Sequence, residues 1–330
     1  MKQRFLVTGG AGFVGSHLVA ELLDRGASCV VLDNLRTGHR EAVLPGARLV
    51  EGDLGDADRL DAVLADGPWD GVFHFAAWSV VGDSMRDPMR YFIENAGNGA
   101  RLIDACVRHG VRRFVFSSTA ALFGRPGDAP LAEDEPVEPA SPYGESKHMI
   151  ERMLFWAEQV HGMRSACLRY FNAAGADPAG RLGEDHRPET HLIPLVIDAA
   201  LGRRGELEVF GEDYATPDGT AIRDYVHVTD LADAHLRALE RLEQASVSYN
   251  LGTGRGHTVL EVIRSVERVG GRRVPFRPVG RRAGDPPALV AASQRIAAET
   301  GWRPRFTALD DIVATALRWR AEHPGGFGPG

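Results

Sequence analysis

The sequence predicts an α/β protein: a doubly wound parallel sheet covered by helices on both faces, with a smaller mixed α/β domain beside it. Three observations carry this expectation. Short apolar runs alternate with helix-period segments through the first half of the 330-residue chain. A glycine-rich turn, Gly9-Gly10-Ala11-Gly12-Phe13-Val14-Gly15, joins the first run to the first helix. Beyond residue 176 the regular alternation gives way to a mixed pattern.

Taken in order, Arg4–Val7, Cys29–Leu32, Arg48–Val50, Val72–Phe75, Phe114–Ser117 and Ala166–Tyr170 read as buried strands. Phe13–Arg25, Asp56–Ala65, Met89–Arg108 and Tyr143–His161 read as the helices between them. Ser141 is a good N-cap for the last of these, and Pro142 suits its first position. Further helices are predicted near His191–Leu201, Asp230–Leu242, Val259–Val269 and Leu309–Glu322. Gly- and Pro-rich stretches near 124–142 and 173–189 read as active-site loops, and Gly325–Gly330 as a frayed tail.

Composition excludes several classes. The chain is 44% hydrophobic and 25% charged, as ordinary globular proteins are. A net charge of −7 argues against a nucleic-acid partner, which selects a basic stripe. No apolar run approaches the ~18 residues that cross a membrane. Met1-Lys2-Gln3-Arg4 enters a strand at once, leaving no room for a signal peptide. Cys29, Cys106 and Cys167 are widely spaced in apolar segments, so buried reduced thiols are expected, with no metal and a cytoplasmic location.

The glycine turn has the context that gives such a pattern meaning. Gly9 allows the tight turn, Gly12 lets backbone approach a pyrophosphate, and Gly15 permits close helix–strand packing. The phosphates would sit on the positive end of the helix. Asp33 ends the second strand, where a carboxylate accepts bonds from an adenosine ribose and repels a 2′-phosphate, so NAD is expected rather than NADP. Asp53, in Gly52-Asp53-Leu54, reads equally as an adenine contact or a helix cap. The resulting partition gives a Rossmann-type NAD domain over residues 1–175, rejoined by 225–252. Residues 176–224 and 253–330 make the substrate domain.

Tyr143 and Lys147 stand four apart in Ser141-Pro142-Tyr143-Gly144-Glu145-Ser146-Lys147 and so share one helix face. A cation close to a phenol favours the phenolate, which makes a general base usable at neutral pH. The spacing is common by chance; its weight comes from the nucleotide turn upstream.

With these residues assembled, the chain resembles the extended short-chain dehydrogenase/reductases, and within them the UDP-glucose (UDP-galactose) 4-epimerases. The likeness includes Phe75-Ala76-Ala77, Phe116-Ser117-Ser118-Thr119, Leu168-Arg169-Tyr170-Phe171-Asn172, Phe210-Gly211-Glu212-Asp213-Tyr214, Asp218 to Val228, and Arg281 to Pro286. The resemblance implies that Tyr143 removes the proton of a sugar 4-hydroxyl, that Lys147 lowers its pKa and binds the nicotinamide ribose, and that Thr119 relays the proton. It implies cofactor contacts from Phe13, Val14, Asn34, Leu54, Phe75, Ala76, Ala77, Asn95, Ser117 and Tyr170, besides Gly9, Gly12, Gly15, Asp33 and Asp53. For a UDP-sugar it implies Asn172, Arg223 and Arg282 at the diphosphate, Phe210 and Tyr225 at the uridine, and His191, Leu192, Asp285 and Leu289 in the same pocket.

Ala120 and Ala121 narrow the expected reaction. Related dehydratases carry an Asp-Glu pair there, and decarboxylating relatives a Glu at the second position; alanine has no acid–base capacity. Simple 4-epimerisation remains, with UDP-glucose and UDP-galactose first and UDP-GlcNAc, UDP-glucuronate or a UDP-pentose as alternatives. Ser79, Asn98-Gly99, Phe123 and His191 depart from the best-known epimerase pattern. Leu289 is intermediate between the Tyr of glucose-restricted members and the Cys of dual-specificity ones. A non-catalytic NAD-binding regulator would ordinarily have lost the tyrosine base. The resemblance also implies a homodimer through Met89–Arg108 and Tyr143–His161, with Met153, Leu154 and Trp156 serving either that interface or the core.

Overall fold

Seven parallel strands form the centre of the structure, a computed structural model describing residues 2–124, 130–282 and 285–328. Residues 125–129 of the predicted loop, Ala283 and Gly284 of the arginine motif, and Pro329 and Gly330 of the predicted tail lie outside the described residues. The six predicted runs become β1 (Arg4–Thr8), β2 (Ser28–Asp33), β3 (Ala47–Glu51), β4 (Gly71–His74), β5 (Arg113–Thr119) and β6 (Arg164–Tyr170). After them come β7 (Asn172–Ala174), β8 (Leu207–Phe210), β9 (Ile222–His227), β10 (Val247–Leu251), β11 (Gly256–Thr258), β12 (Phe276–Val279) and β13 (Ala288–Leu289). The large sheet has the order β3-β2-β1-β4-β5-β6-β10, and every pairing in it is parallel. The strand order reverses at β1, which opens a crevice beside the carboxyl ends of β1 and β4.

Alternate residues of the inner strands β1, β2 and β4 enter opposite cores, so these strands carry near-continuous apolar runs. Phe5, Val7, Val31 and Phe73 pack with Leu18 and Leu22 of α1 (Phe13–Asp24) on one face. Leu6, Val30, Val72, Phe114 and Phe116 pack on the other with Leu60 of α2 (Ala57–Ala65). Short α3 (Val81–Ser84) and α4 (Pro88–Tyr91) follow, and then α5 (Asn98–Arg108) and α6 (Pro142–His161), whose Leu102, Ile150 and Leu154 join the second face. The predicted single helix Met89–Arg108 is therefore broken: α4 and α5 are joined by a wider i→i+5 turn over Phe92–Gly97. That turn aims the Asn95 side chain inward, onto the backbone of Trp78 and the Ser146 hydroxyl.

A third core unites α7 (Leu192–Ala200), α9 (Val259–Gly270) and α11 (Leu309–Glu322) through Val196, Val262, Val266 and Val313. The chain returns to the large sheet between α7 and α9, where α8 (Val228–Arg241) packs on α1 and β10 adds the last strand. Two features differ from expectation. α10 (Gln294–Thr300) sends Ile296, followed by Trp302, into the large-sheet core, although both fall within the 253–330 span given to the substrate domain. The expected frayed tail is tied down as far as Phe327, whose ring lies against His39 and Trp319.

Candidate active site

A cleft of about 420 Å³ runs from the glycine turn to β13 and gathers residues from the ends of β1 through β6. At one end Gly9 has φ +73°, and a side chain on it would meet the Ala76 backbone nitrogen at 2.4 Å. A Cβ on Gly15 would lie 2.2 Å from the Gly9 carbonyl oxygen, so the helix can approach this closely only with glycine there. Gly12 precedes α1 and puts no side chain over its first turn, leaving those N–H groups bare toward the cleft. Asp33 is buried, accepting from the backbone of Ala11 (3.0 Å) and Leu35 (2.8 Å), and burial holds its carboxyl above the usual range. Leu35 reaches that bond through a left-handed backbone, φ 56°. Asp53 lines the cleft and accepts from Asn34 Nδ2 (2.7 Å); the cap of α2 is Asp56, so Asp53 is not that cap.

At the middle of the cleft α6 lies against β5. Ser141 caps α6 by accepting from Gly144 N at 3.2 Å. Tyr143, Lys147 and Glu151 occupy one face and meet the consecutive strand residues Thr119, Ser117 and Ser118. Lys147 is buried; its Nζ donates to the Ser117 carbonyl (2.9 Å) and sits 6.0 Å from the Tyr143 ring centre. That is its one hydrogen bond among the described residues, so two N–H donors remain for a ligand. Burial lowers the Lys147 pKa to about 7. Burial also raises the Tyr143 phenol, outweighing the opposing pull of the Thr119 hydroxyl. In the chain alone the phenol is thus shifted upward, against the expectation that Lys147 draws it down. Burial of the phenol itself is the dominant effect.

Of the remaining sequence candidates, Phe13, Val14, Asn34, Leu54, Phe75, Ala76, Ala77, Ser117 and Tyr170 line the nucleotide half of the cleft. Asn172, His191, Leu192, Arg223, Tyr225 and Leu289 line the other half. The small sheet aligns several of these, since Asn172 pairs with Tyr225 and Leu289 with Arg223. Four candidates do not line the cleft. The Asn95 amide is spent on Trp78 and Ser146. Asp285 is engaged by Arg223, which also donates to the Ile222 and Pro286 carbonyls. Arg282 stacks on Phe210, with 3.9 Å from guanidinium carbon to ring centre.

Sequence reading missed Arg36, Glu94, Asn98, Glu184 and His186, which also line the cleft. The interrupted helix presents Glu94 and Asn98, Arg36 lies in the loop after β2, and only the repeated Glu/His spacing Glu184-x-His186-x-x-Glu189-x-His191 could have flagged Glu184 and His186. That spacing also gathers four metal-ligand side chains where no metal was expected.

A bare helix N-terminus, a buried carboxylate at the end of β2 and a half-used ammonium fit a dinucleotide laid along the crevice, with a Tyr–Lys pair further along it. This defines a nucleotide-dependent enzyme of the short-chain dehydrogenase/reductase class. The chain belongs to the NAD-dependent epimerase/dehydratase family, whose sequence profile matches residues 5–252. It is 51% identical over 318 residues to the UDP-glucose 4-epimerase of Azospirillum brasilense, covering 96% of this chain and 91% of the relative. The UDP-glucose 4-epimerase of Brucella ovis in complex with NAD superposes with a TM-score of 0.93 at 46% identity, covering 96% of this chain and 98% of that one. The Bifidobacterium longum UDP-glucose 4-epimerase in complex with NAD+ and UDP gives a TM-score of 0.93 at 35% identity, covering 98% and 100%.

Proposed function

We propose that this chain is a UDP-hexose 4-epimerase that interconverts UDP-glucose and UDP-galactose with NAD kept as a prosthetic group, and so serves galactose metabolism. The observation that carries the reading is the meeting of Tyr143, Lys147 and Thr119 in one cleft beside Ala120 and Ala121, which bring no second acid or base. Bound NAD supplies the acceptor, and then the donor, of the C4 hydride. Tyr143 takes the 4-hydroxyl proton and returns it, and Thr119 holds that hydroxyl. Lys147 would hold the nicotinamide ribose, and its charge together with that of the oxidised cofactor would offset the burial that raises the phenol. Arg223 is held by Asp285 in a largely buried position at the cleft wall, from which its guanidinium can meet a diphosphate.

A partition into an NAD domain (1–175 with 225–252) and a UDP-sugar domain (176–224 and most of 253–330) belongs to this reading, with Ile296 and Trp302 assigned to the NAD-domain core. So does a cytoplasmic location, which suits three buried free thiols. Among the described residues no helix is long and apolar enough to cross a membrane. A second reading, tolerance of a 2-N-acetyl group, is favoured by Leu289, which lines the cleft with less bulk than a tyrosine.

The test is to incubate the protein, with no added NAD, with UDP-galactose, UDP-GalNAc, UDP-glucuronate and UDP-arabinose and to separate the products. UDP-galactose should give UDP-glucose; no epimerisation of any of the four, even with NAD supplied, would overturn the reading. Asp33→Asn should weaken NAD retention about 10-fold or more through loss of a charge-assisted bond, measured as nucleotide released on denaturation.

A homodimer is part of the same proposal. On α6, Met149, Phe155, Trp156 and Val160 are 40%, 44%, 58% and 67% exposed, and Met89 and Ile93 are 59% and 58% exposed nearby. Of the three residues singled out by sequence, Leu154 is core, Met153 packs against the core and Trp156 is exposed. Trp156→Glu with Val160→Glu should convert a dimer to a monomer in light scattering, and an unchanged mass would exclude this face.

A further inference from the structure

The proposed reaction gives no role to three members of one side-chain cluster at the cleft, Glu184, His186 and Glu189, and only a pocket-lining place to the fourth, His191. Glu184, His186, Glu189 and His191 lie on the segment that leads into α7, and their ligand atoms all fall within 4.8 Å of one another. His186 Nδ1 is 3.2 Å from Glu184 Oε1 and 3.6 Å from Glu189 Oε1. His191 Nδ1 is 3.9 Å from Glu189 Oε1 and bonds Glu184 Oε1. Donors bound at ~2.0–2.1 Å to one tetrahedral ion stand ~3.4 Å apart, so these spacings bracket those of a shared ion.

A second observation is independent of the spacing. The Glu189 side chain is only 9% exposed, and its Oε1 accepts from the Thr190 and His191 backbone. Its Oε2 is buried without a hydrogen-bond partner, as is His186 Nδ1. Arg320 comes to 3.7 Å of Glu189 Oε2, but its hydrogen bonds go to Asp198 and the Glu184 carbonyl. Two buried carboxylates call for two positive charges. These can be two imidazolium rings with centres 5.0 Å apart, or one divalent cation between neutral imidazoles. Metal and protons compete for the same imidazole nitrogens.

We propose that Glu184, His186, Glu189 and His191 form a closed four-ligand site for a divalent cation of the zinc class, fixing the segment ahead of α7 against the cleft. Two imidazole nitrogens and two carboxylate oxygens suit zinc; calcium and magnesium prefer six or more oxygens. Four protein ligands leave no open position, so the ion holds structure and activates no water. Glu184, His186 and His191 also line the cleft, and Leu192 follows directly, so the ion would set the shape of the pocket at that end.

The experiment uses tag-free protein with its nucleotide in place, stripped with a chelator and titrated with zinc chloride against a chromophoric competitor. One equivalent should bind, with affinity falling as pH is lowered through the histidine range and with a higher melting temperature in the loaded protein. His186→Ala with Glu189→Gln should lose about 100-fold or more in affinity. Equal zinc uptake by wild type and that variant would overturn the proposal. Should the variant fail to fold, cobalt added to the wild type decides: intense four-coordinate visible bands support the site, and weak six-coordinate bands or none sink it. Zinc uptake does not depend on UDP-sugar turnover, so this proposal and the epimerase reading fail separately.

Discussion

Tyr143→Phe should lower the kcat for UDP-galactose epimerisation about 10³-fold or more, with NAD content and melting temperature close to wild type. The substitution removes one oxygen and keeps the ring, which packs edge-on against Tyr91 with centres 6.2 Å apart. What is lost is the proton acceptor at the 4-hydroxyl, worth about 10²–10⁴ in rate for a positioned general base. Thr119 cannot take over: its oxygen already accepts from Ala121 N at 3.1 Å, and a neutral hydroxyl is a poor base. Ala120 and Ala121 offer no substitute. A coupled assay of UDP-glucose formation checks this. Activity within about 10-fold of wild type would remove Tyr143 as the base and send the search to Lys147, whose depressed pKa of about 7 makes it the next candidate.

The residues that set the cofactor end were legible because each answers to a local rule. A strand buried on both faces must be apolar throughout, so β1, β2 and β4 stand out without alignment. Gly9 and Gly15 are required by contacts of 2.4 and 2.2 Å that any side chain would violate. The structure also explains what was hidden. β10 is an edge strand reading Val-Ser-Tyr-Asn-Leu, and its polar Asn250 is used to hold the Leu131 carbonyl, so no apolar run marks it. Asn95 was assigned to the cofactor, and only the wider turn over Phe92–Gly97 shows its amide spent on Trp78 and Ser146. The upward shift of Tyr143 depends on how deeply α6 is buried, which spacing along a helix cannot reveal. The Glu184–His191 cluster is irregular backbone before α7, where no period predicts which side chains converge.

Glu151→Leu should destabilise the protein by about 3–5 kcal/mol, because it leaves a buried guanidinium without its partner. Glu151 and Arg169 are each 8% exposed, and the pair is bidentate, with Nε to Oε1 at 3.0 Å and Nη2 to Oε2 at 2.6 Å. Ser118 donates to the same carboxylate at 2.6 Å, so the network joins α6 to β5 and β6 on the helix face that also carries Tyr143 and Lys147. Arg169 also reaches the Glu133 carbonyl at 3.3 Å, which cannot replace a full negative charge. Replacing both ions by apolar groups of similar volume removes the unpaired charge. Glu151→Leu with Arg169→Met should therefore recover most of the loss, giving a strongly favourable coupling in a double-mutant cycle. Thermal unfolding of the NAD-loaded wild type, both single variants and the double variant supplies the cycle. A double variant no more stable than Glu151→Leu would show that the cost lies in packing along α6 rather than in a buried charge. Recovery of stability without recovery of turnover would show that this ion pair also sets the angle at which α6 presents Tyr143 and Lys147 to the cleft.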